Sequence, residues 1–119
     1  LESGPPLQNL LWSVLVRNRL HSVVIAGDLK QAFLQVRISE PDRDAMRFHW
    51  HRNLNTKETE TLRLTGALFG LASSSFLLGG VLREHLECCR ERFPVEVEEI
   101  LRSLYVDDLI SGGETVQKA

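Results

Sequence analysis

Two aspartates stand side by side near the end of the chain, Asp107 and Asp108, with Leu104-Tyr105-Val106 before them and Leu109-Ile110 after. Tandem acids between strand-like apolar segments are costly unless a cation meets them. Successive side chains of a strand point to opposite faces, so both acids serve one site only at a turn. The pattern therefore predicts strands over Leu101–Tyr105 and Leu109–Ser111, a tight turn at Val106-Asp107-Asp108, and an end at Gly112-Gly113. A third acid, Asp28, ends the apolar run Val23-Val24-Ile25-Ala26-Gly27, which reads as a buried strand.

Three carboxylates at strand ends suit a hard divalent cation. Mg²⁺ prefers oxygen ligands and keeps several waters, so a few carboxylates with substrate phosphates suffice. Phosphoryl transfer uses two such ions roughly 3.5–4 Å apart. Asp28 and Asp107 are the pair expected to hold the metal, brought together by neighbouring strands, with Asp108 completing the set. Each acid also has a plainer reading. A single Asp after a strand is a turn residue or a helix cap, and Asp-Asp at a hairpin tip is a solvated turn.

The remaining segments alternate between helical and strand periods. Leu7, Leu10, Leu11, Val14 and Leu15 predict an amphipathic helix over 7–20, entered through Pro5-Pro6. Ala32–Ile38 alternates and is expected to extend as strand. Ser39–Asp42 is a turn or helix start. Ala45–His51 and Thr59–Thr65 form a hairpin around Asn53–Thr56, with Met46, Phe48 and Trp50 on one face and Arg47, His49 and His51 on the other. A long helix is expected over Ala72–Phe93, capped by one of Ser73, Ser74 or Ser75, burying Leu78, Val81, Leu82 and Leu86, and stopped by Pro94. Gly79-Gly80 inside it implies close approach of a neighbour. Val95–Leu101 is a short helix. The fold class is α+β.

With 119 residues, one domain is expected. No apolar run nears the roughly 18 residues that span a bilayer, so no membrane partner is expected. The net charge of −2 is unusual for a nucleic-acid binder, which implies that most phosphate-gripping cations lie outside this segment. Adjacent Cys88 and Cys89, the only cysteines, fit a reducing intracellular compartment. The opening Leu1-Glu2-Ser3-Gly4 reads as the interior of a longer protein.

Three segments taken together resemble the palm of a reverse transcriptase, in that family's order. Asp28-Leu29-Lys30-Gln31-Ala32-Phe33 is similar to its first catalytic motif. Phe69-Gly70-Leu71-Ala72-Ser73-Ser74-Ser75-Phe76 is similar to the motif that positions template and nucleotide. Tyr105-Val106-Asp107-Asp108 is similar to the catalytic hairpin. The wording around Gly4-Pro5, Arg17-Asn18-Arg19, Pro41-Asp42-Arg43-Asp44-Ala45 and Arg47-Phe48-His49-Trp50 resembles the Bel/Pao group of long-terminal-repeat retrotransposons.

The resemblance implies a polymerase palm, a ferredoxin-like antiparallel sheet packed on helices. Residues 1–119 would then be a partial reverse transcriptase domain, with fingers incomplete and thumb and ribonuclease H absent. It implies that Asp28, Asp107 and Asp108, with the Leu29 carbonyl, hold two Mg²⁺ ions, Mn²⁺ being a substitute. It places Phe33 under the sugar of the incoming deoxynucleoside triphosphate, Phe69 and Gly70 along the nucleotide pocket, and Tyr105 and Val106 at the primer end. The implied partners are an RNA or DNA template with its primer, deoxynucleoside triphosphates and the remaining polyprotein domains. The implied setting is a cytoplasmic retroelement particle or the nucleus, and the implied activity of this segment alone is small.

Phe33 also reads as a core aromatic, Phe69-Gly70 as a strand-to-helix turn, and Tyr105-Val106 as packing. Ser75 stands where the family usually has Pro, and Gly27 and Gly79-Gly80 depart from its pattern. These features support a second reading, a decayed or domesticated non-catalytic interaction module. A third is a different palm-like enzyme acting on nucleotides. His49 with His51, Cys88 with Cys89, and the Arg83/Arg90/Arg92 set among Glu84, Glu87 and Glu91 read as polar surface rather than metal or template sites.

Overall fold

A computed structural model describes residues 2–119 as a mixed α+β domain with antiparallel sheets. In chain order the elements are α1 (Leu11–Asn18), β1 (Val23–Asp28), α2 (Ala32–Gln35), a 3₁₀ helix (Glu40–Met46), β2 (Arg47–Asn53), β3 (Glu58–Arg63), α3 (Ser74–Cys89), α4 (Pro94–Ser103), β4 (Leu104–Tyr105) and β5 (Asp108–Gly113). Strands β1, β5 and β4 form one sheet in that order. The β2–β3 hairpin is a separate two-stranded sheet.

The β-branched run of β1, expected to be buried, is largely exposed, and it pairs along its length with β5, from Val23 opposite Gly113 to Asp28 opposite Asp108. Gly112 and Gly113 are the last two residues of β5 and end the element as expected, both paired with β1. Glycine at 112 is a steric requirement, because a Cβ there would run into the Val23 carbonyl and His21.

The expected strand over 32–38 is instead the short helix α2. Ala, Leu and Gln are good helix formers. A turn from Leu29 to Ala32 (N···O 3.1 Å) and a left-handed Gln31 (φ 54°) launch it. In this form Ala32, Phe33 and Val36 fall together and join Ala67 and Leu78 in the main core. An alternating strand would have split Phe33 from Val36.

Helix α3 is shorter than expected. Leu78 and Leu86 are buried and Leu82 packs on the core, but Val81 is 51% exposed. None of the three serines makes a side-chain cap. Ser74 is buried and donates its Oγ to the Leu68 carbonyl at 2.5 Å. Pro94 opens α4, where its missing N–H costs nothing. Gly79 does face a neighbour, since a Cβ there would stand 3.3 Å from Leu7 Cβ; Gly80 faces open space.

The outline is long, 61 × 30 × 26 Å, with a radius of gyration of 18.6 Å. A compact chain of this length has roughly 13–14 Å. The accessible surface is 9040 Å², against about 6,500 Å² for a folded monomer of this mass. Two elements account for much of this. Both faces of the β2–β3 hairpin are exposed, including Phe48, Trp50 and Leu62. In α1 the expected apolar stripe is not buried. Val14 is the one buried residue, while Leu11, Leu15, Val16 and Trp12 (75%) face outward. No helix among the described residues is long and apolar enough to cross a membrane.

Candidate active site

The turn between β4 and β5 carries the tandem acids. Tyr105 pairs with Asp108, which leaves Val106 and Asp107 as the two central residues of a tight hairpin. Val106 has φ 58° and Asp107 has a negative φ. A positive φ at the first central position only is the type II′ pattern, whose twist matches the flanking strands. Glycine normally fills that position, and a β-branched residue there is strained. Val106 packs on the core cluster that contains Phe33, so burial of its side chain opposes the backbone cost.

The register brings the three acids to one edge. Asp28 is the direct cross-strand partner of Asp108. Directly opposed residues have Cβ atoms roughly 4.5–5.5 Å apart on the same face. Asp107 joins them through the backbone, its carbonyl accepting the Leu29 N–H at 3.0 Å. That bond continues the β1–β5 ladder around the turn. Asp28 and Asp108 are exposed and Asp107 is half-buried. Among the described residues none of the three has a salt-bridge partner.

The donor set is hard and anionic, as a Mg²⁺ site requires. The Leu29 carbonyl already accepts the Ala32 N–H, so one of its lone pairs is left. No group of three His, Cys, Asp or Glu side chains among the described residues is gathered closely enough to hold an ion. The backbone register alone brings the acids to one edge.

Phe33 is 6% exposed and belongs to the core; Phe69 is 65% exposed and covers it edge-on, with centroids 4.8 Å apart at 61°. Gly70 has φ 81° with open space where a Cβ would be, so its conformation rather than a tight contact calls for glycine. Tyr105 is half-buried in β4.

Two polar arrangements near the hairpin carry no sequence signal. Glu99 Oε1 accepts hydrogen bonds from Ser103 and Ser111, both at 2.7 Å, tying α4 to β5. Its carboxyl is held below the ordinary range, chiefly by Ser111, against the opposing effect of burial. Asn9 reaches the start of β4, 95 residues away in sequence.

The expected polar surfaces are simple. His49 and His51 face Thr61 and Thr59 across the hairpin at 3.4 and 3.2 Å. Arg90 pairs with Glu87 and with Glu98 of α4. Both cysteines are free. No protein-family model matches the chain, and no curated protein is significantly similar to it in sequence.

Proposed function

We propose that this domain is the palm segment of an RNA-directed DNA polymerase of the retrotransposon type, acting with a primed RNA or DNA template and deoxynucleoside triphosphates. One observation carries the reading: three acids with no salt-bridge partner among the described residues lie at one sheet edge, Asp28 opposite Asp108 and Asp107 bound through its carbonyl to Leu29. Asp28, Asp107 and Asp108 would hold Mg²⁺. When bound, a divalent pair of this kind stabilises charge on the attacking and leaving oxygens of phosphoryl transfer.

The chain's own residues do the positioning. The exposed ring of Phe69 is linked to the acid-bearing turn through the core, since it packs edge-on against Phe33, and Val106 packs on the cluster that contains Phe33. With a net charge of −2, alignment of the duplex falls to surfaces beyond these residues, and the isolated chain should extend primers poorly.

The experiment has two arms. Mg²⁺ should raise the melting temperature of the chain saturably, and Asp28→Asn should remove that response. In a polymerase completed around this segment, Asp107→Asn should abolish primer extension. Undiminished extension by that variant refutes the reading.

The non-catalytic interaction module remains the second reading, favoured by the outward Leu11, Trp12, Leu15 and Val16 of α1. Mg²⁺-dependent stabilisation that vanishes in Asp28→Asn counts against it.

A further inference from the structure

Helix α4 ends where β4 begins, so its last carbonyls have no helical N–H to accept. One is satisfied within the chain's own turn, Leu104 N–H donating to Ile100 O. Two more, with that of Leu104 at the start of β4, are met from the far end of the sequence. Asn9 Nδ2 donates to the carbonyls of Leu101 and Leu104, both at 2.8 Å, and Arg17 Nη1 donates to Arg102 O at 2.7 Å.

An amide fits this place for chemical reasons. Both acceptors are carbonyls, so the group facing them must supply two donors, and an amide NH₂ has two. The base of the clamp is fixed as well. Arg83 of α3 donates to Leu7 O at 2.7 Å, and Gly79 leaves room for the Leu7 side chain.

The grip lies next to the tandem acids. Leu104 pairs with Leu109 and Tyr105 with Asp108, so Asn9 holds the hairpin three residues before Asp107. A cavity of about 30 Å³ bounded by Asn9, Leu7, Gly79, Leu104 and Val106 places the turn residue against the same space.

We infer that Asn9 is a positioning residue that sets the angle at which the β4–β5 hairpin presents Asp107 and Asp108 to Asp28. The clamp follows from geometry alone; its consequence for metal binding rests on the polymerase reading.

The test uses the 119-residue chain and two variants. Asn9→Asp keeps the size but sets a carboxylate against two carbonyls. Asn9→Ala is the milder change, since the small cavity can admit water to the freed carbonyls. Amide hydrogen exchange reads hairpin docking through Leu29, whose N–H is bound to Asp107 O. Asn9→Asp should speed exchange at Leu29 at least tenfold and Asn9→Ala about threefold, with Leu82 and Leu86 of α3 unchanged. If Asn9→Asp does not fold, the Asn9→Ala profile decides alone.

Mn²⁺ binding, read by relaxation of resonances around the acids, should weaken at least fivefold in the variant that folds. Unaltered exchange at Leu29, or a rise spread evenly over α3, overturns the inference. So does wild-type Mn²⁺ affinity in a variant whose exchange has risen. If the unsubstituted chain binds no Mn²⁺, the polymerase reading falls, and the exchange profile still decides the clamp.

Discussion

Asp28 and Asp108 are direct partners across the antiparallel strands β1 and β5, two like charges placed opposite each other at an exposed sheet edge. Such a pair destabilises a sheet by roughly 0.2–1 kcal/mol. Asp108→Asn should therefore stabilise the chain in a chelating buffer, raising the melting temperature by roughly 1–4 °C. On the proposed metal-holding role of Asp108, the order should reverse in Mg²⁺, because the variant loses that ligand. Scanning calorimetry with and without Mg²⁺ checks both halves. A lower melting temperature in chelator would show that the two charges do not repel.

Val106→Gly should be nearly neutral, within about 1 kcal/mol. Glycine relieves a left-handed backbone that costs an L-residue roughly 1–2 kcal/mol. It also gives up a half-buried side chain and adds chain entropy, which together cost a similar amount. Val97, 2% exposed in α4, has no such relief, and Val97→Gly should cost about 3 kcal/mol or more. Urea unfolding of the two variants measures the contrast.

The glycines of this chain divide by what surrounds them. Gly80 lies inside α3 facing open space, so Gly80→Ala should stabilise by about 1 kcal/mol. At Gly66 a Cβ would stand 2.5 Å from the Leu34 carbonyl, so Gly66→Ala must shift backbone and should destabilise by about 2 kcal/mol. Thermal unfolding of both variants separates the cases.

Glu99 gives a pH dependence. Hydrogen bonds from Ser111 and Ser103 favour its charged form, so its folded pKa lies below the unfolded value. A depressed carboxyl contributes stability that is complete above the unfolded pKa, about 4.3, and is lost as pH falls through the folded value. Glu99→Gln should thus be less stable than the parent at pH 7, with the gap closing below about pH 4. A gap independent of pH between 7 and 3 would rule this out.

The sequence revealed most where a run of one character ended in a residue of another. Val23–Gly27 closing on Asp28, and Tyr105 giving way to tandem acids, marked β1 and the β4–β5 hairpin because strand, turn and charge all agreed there. The two-residue turn with Val106 in the left-handed region was hidden, since β-branched residues almost never adopt that conformation. Ala32–Ile38 alternated well enough to look extended; only the core shared with Ala67 and Leu78 makes the helix the better burial. In α1 the leucines kept a helical period without being covered, because periodicity reports the shape of a face and not what lies against it. Asn9 had no signal at all, as its partners are 92 and 95 residues away.

The β2–β3 hairpin is tied to the rest of the chain mainly at its base. Leu64 bonds to Met46, and Arg63 reaches Asp44 and Glu40 of the 3₁₀ helix. Beyond that root, its strands hold only each other. A lone hairpin in water is marginal, and its opening exposes little new apolar area. Its amide protons should therefore be lost to solvent long before those of β1 and β5, so the chain melts in two stages and a single unfolding free energy describes only the second.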